Sequence, residues 1–219
     1  MAAMSDYLEN KILDHIFKST TFTSPTVAAV ALFFVNKGQR ANSTLYTVTT
    51  DYIWLTANDT KTHCYKCTTG GTTAASQSTL YPGVANEAIT DGGAVFTEVS
   101  SLMDANSLTA LEVSTSGTGY GRQTLNPSAT ANWVCTQGGV TAPSSGSNGT
   151  TSNNTAITFG SPVATWGGAG AMVAMMGVYD NSVAGNLLFW GFMTIPKSIN
   201  NGDAAPSFAG GALTFQVDN

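Results

Sequence analysis

Charge is what this chain has least of. Lysine and arginine together number 8, and aspartate and glutamate 13, so charged residues are only 10% of the whole, against about 25% in an ordinary soluble domain. The cations Lys11, Lys18, Lys37, Arg40, Lys61, Lys66, Arg122 and Lys197 are scattered along the sequence. Binding to a phosphate backbone needs clustered cations that displace counterions, so a nucleic-acid partner is excluded. Histidine is nearly absent as well: His15 and His63 are the two present, which leaves little for a Ser-His-Asp relay. Paired carboxylates for glycoside cleavage would have to come from sparse acids such as Asp91, Glu98, Asp104 and Glu112, and Asp91 reads better as part of an Asp-Gly turn. The run Gly167-Gly168-Ala169-Gly170 lacks the lysine and the strand–helix setting of a phosphate loop, so it reads as a turn. We therefore expect no catalytic residues, no cofactor and no enzyme.

Long apolar runs are missing too. The longest, Val27 to Val35, is strand-length, well short of the roughly 18 residues that suggest a membrane span. No cationic segment precedes an apolar stretch near the start, so we expect no signal peptide and no membrane insertion. Cysteine occurs three times, at Cys64, Cys67 and Cys135, and an odd count argues against a disulfide framework. Cys64-Tyr65-Lys66-Cys67 is a CxxC. On a strand, positions i and i+3 point to opposite faces, so the pair neither bridges nor shares a metal, and no metal site is expected.

Turns and short strands make up most of what is present. Hydrophobic residues at 42% suffice for a core, and hydroxyls and amides stand in for charge at the surface. The one helix expected runs over Ser5 to Lys18. Ser5 is placed to cap it, Asp6 and Glu9 suit its positive end, and Leu8, Ile12 and Ile16 with Leu13 and Phe17 make one apolar stripe. That stripe either covers a sheet or docks onto a neighbouring subunit, and the first reading is favoured. Thr26 to Val35 predicts a strand buried on both faces or lying under the helix. Short strands follow at Thr44 to Thr50, Tyr52 to Thr56, His63 to Thr68 and Ala94 to Val99, separated by Asn58-Asp59, Gly70-Gly71 and Asp91-Gly92-Gly93 turns. A strand ending at Leu125 and another at Trp133 to Thr136 come next, then a loop over Thr141 to Asn153. Later strands are expected at Thr155 to Phe159, Met172 to Tyr179, Leu187 to Thr194 and Ala212 to Val217, with Asp180-Asn181-Ser182 and Ala184-Gly185-Asn186 bracketing a hairpin. The fold class is all-β: a jelly-roll-like β-sandwich with an N-terminal helix, formed by 1–36 and 107–219, with a small β module inserted at 37–106.

Several blocks carry a family resemblance. Ser5-Asp6-Tyr7-Leu8-Glu9-Asn10-Lys11-Ile12-Leu13-Asp14-His15-Ile16-Phe17, then Ser24-Pro25-Thr26 leading into Val30-Ala31-Leu32-Phe33, open the pattern. Gly117-Thr118-Gly119-Tyr120-Gly121-Arg122-Gln123 matches a central Gly-Tyr-x-Arg block. Gly191 to Pro196, Ile199-Asn200-Asn201-Gly202-Asp203 and Phe208-Ala209-Gly210-Gly211-Ala212-Leu213-Thr214 close it. In this order the blocks resemble a family of small phage virion proteins, often labelled tail fibre proteins. The middle differs. Cys64-Tyr65-Lys66-Cys67-Thr68-Thr69-Gly70-Gly71 and Ile89-Thr90-Asp91-Gly92-Gly93-Ala94-Val95-Phe96-Thr97-Glu98-Val99 are similar to chitinase-type carbohydrate-binding modules.

The resemblance implies a virion structural protein assembled in the host bacterial cytoplasm, with phage capsid or tail proteins as partners and a dimeric or trimeric homo-oligomer. The absence of fibrous repeats and of a long coiled coil leans the reading towards a capsid decoration or cement protein on the head surface. A tail fibre or receptor-binding appendage, whose inserted module binds host surface polysaccharide, is the alternative. The candidate glycan contacts are Tyr52, Trp54, Tyr65 and Tyr81, because aromatic faces stack on sugar rings. The candidate subunit contacts are Leu8, Ile12, Ile16, Trp166 and Trp190.

Overall fold

The computed structural model describes residues 3–77, 81–127, 131–135 and 149–216. In chain order its elements are β1 (Ala3–Met4), α1 (Asp6–Phe17), β2 (Ala29–Val35), β3 (Leu45–Tyr46), β4 (Tyr52–Thr56), β5 (Thr62–Thr69), β6 (Gly71–Thr72), β7 (Ala88–Asp91) and β8 (Ala94–Glu98). Two short 3₁₀ turns, Ser100–Leu102 and Thr109–Leu111, lead to β9 (Gln123–Thr124), β10 (Trp133–Cys135), β11 (Thr150–Asn153) and β12 (Ile157–Thr158). The chain then forms β13 (Met172–Tyr179), β14 (Leu187–Lys197), β15 (Ser207–Phe208) and β16 (Thr214–Gln216). The fold is all-β, with antiparallel sheets and, among the described residues, one α-helix.

A five-stranded sheet in the order β1-β14-β13-β2-β9 is the centre of the molecule. β2 is buried along nearly its whole length because both of its faces are covered. On one face Val30 and Leu32 meet Tyr120, Phe159, Trp166, Met176, Val178 and Phe215, beneath the smaller β10-β11-β16 and β12-β15 sheets. On the other, Ala29, Ala31 and Phe33 meet Met175, Tyr179, Met103, Leu108 and Leu111. Sheets facing each other across an apolar layer make this a sandwich. The β13–β14 hairpin closes with Tyr179 opposite Leu187, and the Asp180 carboxylate accepts from the amide and side chain of Asn186 at 2.7 and 2.8 Å. Gly177 lies where the layers are closest: a Cβ there would stand 2.8 Å from Leu187 Cδ1 and 3.1 Å from Phe33 Cε2.

A four-stranded sheet, β4-β5-β8-β7, occupies the middle of the sequence. One face encloses its own core of Tyr46, Ile53, Leu55, Tyr65, Cys67, Tyr81, Ala94 and Phe96. The opposite face turns Tyr52, Trp54 and Cys64 onto the core of the central sheet. The period-2 alternation of strands therefore joins the two sheets through β4 and β5.

Three local expectations are corrected. Thr44 to Thr50 is a strand only at Leu45–Tyr46. The Asp51 carboxylate accepts from the Thr47 amide at 2.7 Å and holds a turn in which Thr49 has φ +66°, so the ladder cannot continue. Ala88–Asp91 is a strand that the pattern did not suggest; it pairs with β8 around the Asp91-Gly92-Gly93 turn. Within the expected loop of Thr141 to Asn153, residues 141–148 lie outside the described residues, and Thr150–Asn153 is a strand between β10 and β16. Its polar side chains are tolerated because they are satisfied. Buried Asn153 donates to the carbonyls of Thr155 and Ala209 at 2.8 and 2.9 Å and accepts from the Leu213 amide at 2.8 Å.

Candidate functional site

The aromatic platform expected for sugar binding does not form. Tyr65 and Tyr81 are buried against each other, ring centroids 5.0 Å apart and edge to face, with Phe96 beside Tyr81. Tyr65 donates its hydroxyl to the Pro82 carbonyl at 2.7 Å, and burial pushes its pKa well above the ordinary phenol value. Tyr52 and Trp54 are half-buried on the other face of the sheet, packed towards the central core, with the Lys66 ammonium 5.8 Å from the Tyr52 ring centre. Trp54 Nε1 is buried with no hydrogen-bond partner. Alternation along β4 and β5 splits the four residues between two faces, so no single face presents them to a ligand.

A polar network sits at the edge of that core. Arg40 grips Asp91 with Nε to Oδ2 at 2.6 Å and Nη2 to Oδ1 at 3.0 Å, both side chains almost fully buried. Tyr81 donates to Asp91 Oδ2 at 2.7 Å and the Ala74 amide to Oδ1 at 3.0 Å. Burial works to raise the pKa of Asp91, but the bonds from Arg40, Tyr81 and Ala74 outweigh it and hold the carboxyl below the usual range. Sequence reasoning saw Asp91 as a turn residue and missed this role. The signal available was an arginine in a chain with few cations.

His63 is held between two carboxylates. Its Nδ1 lies 3.0 Å from Glu98 Oε1 and its Nε2 3.1 Å from Asp59 Oδ2. Glu98 is fully buried; its Oε1 also accepts from the Ser100 amide at 2.7 Å, while Oε2 has no partner. With both ring nitrogens engaged by carboxylates, neither is free to take a proton from a hydroxyl nucleophile. The arrangement fastens the 57–61 turn to β8 and has the geometry of a clamp.

The two cysteines of the CxxC face opposite ways, as strand geometry requires. Cys64 packs into the central core and Cys67 into the core of the four-stranded sheet. Burial, with the nearby Glu98 charge, pushes the Cys64 thiol up, and burial also raises that of Cys67. Thiolate is the reactive form. Both thiols should therefore resist iodoacetamide in the folded protein and react once denaturant is added. Rapid labelling of either in native buffer, read by mass spectrometry, contradicts the packing described.

The Gly-Tyr-x-Arg block is a structural keystone. Arg122 pairs with Glu112, Nε to Oε1 at 2.8 Å and Nη2 to Oε2 at 2.7 Å, and its guanidinium stacks 3.6 Å from the Tyr179 ring centre. Tyr120 donates to Glu112 at 3.1 Å and accepts from the Leu32 amide at 3.0 Å. Burial is the main cause that lifts the Tyr179 phenol to about 12. Gly119, at φ +76°, passes so close to the neighbouring loop that a Cβ would meet the Ser161 carbonyl oxygen at 2.2 Å.

The candidate subunit contacts divide. Trp166 is completely buried within its own chain; it packs on Tyr120 and Phe159 and donates Nε1 to the Thr118 carbonyl at 3.0 Å. It is a core residue and cannot meet a second subunit. Trp190 is 8% exposed and bonds through Nε1 to Asp104, so it too is committed internally. On α1, Ser5 caps the helix by accepting from the Leu8 amide at 3.3 Å and donates its own hydroxyl to the Leu187 carbonyl. That anchor buries Leu8 and leaves Ile12 half-buried. The rest of the stripe is open: Leu13 is 53% exposed, Ile16 61% and Phe17 77%. The reading of α1 as a cover for the sheet therefore holds for its first turn alone.

The family model described as podophage GP4 fiber I protein gp80 matches the chain over two overlapping spans, residues 3–91 and 55–216. Both spans reach into residues 37–106. No curated protein matches the chain.

Proposed function

We propose that this chain, which belongs to the family described as podophage GP4 fiber I protein gp80, is built into the tail appendage of a phage particle and assembles there through the open half of α1. It is a phage fibre-type structural protein. The family description names a fibre, and that supports the appendage over a cement position on the head. The observation that carries the assembly is the helix end: three large apolar side chains on one face, Leu13, Ile16 and Phe17, face water. Contiguous exposed apolar surface of this kind marks an interface. Sparse charge elsewhere favours contacts made by apolar burial and not by ion pairs. The middle sheet serves in this reading as a structural layer, because its aromatics are spent on packing. Bond-making chemistry forms no part of the role.

Placement is tested by decorating intact particles with gold-labelled antibody against this chain. Label at the tail is the expected result, and label spread over the head shell overturns the appendage reading.

A further inference from the structure

Two carboxylates compete for the protons of one imidazole beside the middle sheet. His63 Nδ1 lies 3.0 Å from Glu98 Oε1, and Nε2 lies 3.1 Å from Asp59 Oδ2. An ionised carboxylate only accepts, and a neutral imidazole has a single N–H. With an unprotonated ring and two carboxylates, one ring nitrogen would face an oxygen across a hydrogen-bond distance with no hydrogen between them.

Burial decides how that conflict resolves. Glu98 is 1% exposed; its Oε1 accepts from the Ser100 amide at 2.7 Å, and its Oε2 has no partner. A buried carboxylate left without a cation is strongly unfavourable, and among the described residues His63 is the one basic side chain that pairs with Glu98. The surrounding groups offer no substitute. Asp104, within electrostatic reach of Glu98, is a further acid, and Lys61 acts on Asp59. Tyr65, its ring 6.3 Å from that of His63, and Cys64 are kept in their protonated forms by burial. Burial works to raise the Asp59 carboxyl, but bonds from the Lys61 amide and His63 outweigh it and hold that group below the usual range.

We propose that the Asp59–His63–Glu98 cluster takes up one proton when the chain folds near neutral pH, and that this proton latches the 57–61 turn to β8. The proposal goes beyond the assembly reading above and does not depend on it. With ordinary values of about 6.5 for histidine, 3.9 for aspartate and 4.3 for glutamate, the three unfolded side chains hold no such proton above about pH 6.5. In the folded chain the extra proton turns both contacts into hydrogen bonds and neutralises the buried charge. The folded state thus binds more protons than the unfolded one. The stabilisation is complete below the unfolded histidine value and is lost as pH rises, until the folded cluster also gives up its proton. Over that interval one proton changes the folding equilibrium constant by up to about tenfold per pH unit.

Deprotonation leaves one contact unmade, and Asp59 is the partner placed to leave: its side chain is 34% exposed, against 1% for Glu98. The turn carries its neighbours with it. The Asn58 amide donates to the Tyr81 carbonyl at 2.9 Å, and the Gly83 amide donates to Asn58 Oδ1 at 3.0 Å. Thr60 stands at φ +67°, a conformation that a β-branched residue avoids unless it is held there.

Urea unfolding of the full chain at intervals from about pH 6 to about pH 9 tests the proton. His63→Gln and Glu98→Gln are the comparisons, and both keep the titrating groups outside the cluster, Asp104 and His15 included. Relative to each variant, the wild type should lose up to about tenfold in its folding constant per pH unit. Calorimetric unfolding in buffers of different ionisation heat should show the wild type releasing close to one proton more than either variant at about pH 7.5. Should Glu98→Gln fail to fold, Asp59→Asn takes its place, because an amide there can donate to an unprotonated ring nitrogen. Parallel stability curves, or equal proton release, overturn the proposal. The latch is read from hydrogen exchange at the Asn58 and Gly83 amides, corrected for the intrinsic pH dependence. Protection should fall with rising pH in the wild type and stay level in the carboxyl variant. Protection that stays level in both overturns the latch.

Discussion

Asp91→Ala should lower the unfolding free energy by about 3–5 kcal/mol, because it strands a buried guanidinium. Arg40 and Asp91 are almost wholly removed from water, and the carboxylate also accepts from Tyr81 and the Ala74 amide. Deleting it leaves the Arg40 charge with only the neutral Asn42 and Ala74 oxygens, and leaves the Tyr81 hydroxyl and the Ala74 amide without their acceptor. Replacing both members of the pair by apolar residues, as in Arg40→Met with Asp91→Leu, should cost markedly less than Asp91→Ala alone, since no ion is then left unpaired. Urea denaturation of the single and double variants gives the comparison. Equal losses would mean that an unpaired Arg40 carries no penalty, and would overturn this reading.

The same pair sets an acid dependence. Asp91 is held below its ordinary value when folded. Its contribution is therefore present above the unfolded carboxyl pKa of about 3.9 and is lost as pH falls through the folded value. Asp104 acts in the other direction: burial raises it, only partly offset by its bond from Trp190, so its contribution is present at low pH and fades as pH rises. Wild-type stability should fall in acid more steeply than that of Asp91→Ala, which has already lost the group responsible.

Trp166→Ala should be the other large loss, again about 3–5 kcal/mol, through the cavity left by a fully buried indole. Trp166 wedges between Tyr120 at 5.3 Å and Phe159 at 6.4 Å, centroid to centroid, both edge to face, and its Nε1 satisfies the Thr118 carbonyl. Removing it should loosen the layer between the central sheet and the β12-β15 pair, visible as a lower melting temperature and lost near-ultraviolet dichroism. If the indole met a second subunit instead, truncation would change the oligomeric mass and spare the melting temperature of the single chain. Phe17→Asp should do the reverse, because that ring faces water.

Much of the architecture was open to reading from residue order. Ser5 followed by the Leu8–Ile12–Ile16 spacing marked the helix and its cap, and the near-continuous apolar run of Thr26 to Val35 marked a strand either buried on both faces or lying under the helix, of which the structure shows the first. The CxxC illustrates how far periodicity reaches: strand alternation alone separated Cys64 from Cys67, and the two side chains lie in different cores. Function classes that depend on clustered charge were set aside on composition, before any fold was known. The site was less legible. Tyr65 and Trp54 look equivalent as aromatic residues on neighbouring strands, yet one closes a core and the other packs against a second sheet.

Sequence by itself determined the β-rich class, the capped helix near the start and the scarcity of charge, because each of these follows from local spacing or from counts along the chain. Which tryptophan is core, which carboxylate pairs with Arg40 and Arg122, and which half of α1 remains uncovered were decided by tertiary structure. Arg40 meets a partner 51 residues away, Arg122 one 10 residues away, and Trp166 a carbonyl 48 residues away. Pairings over such separations are selected by which strands lie side by side and by which groups must be satisfied once water is excluded, and neither condition exists until the sheets have closed.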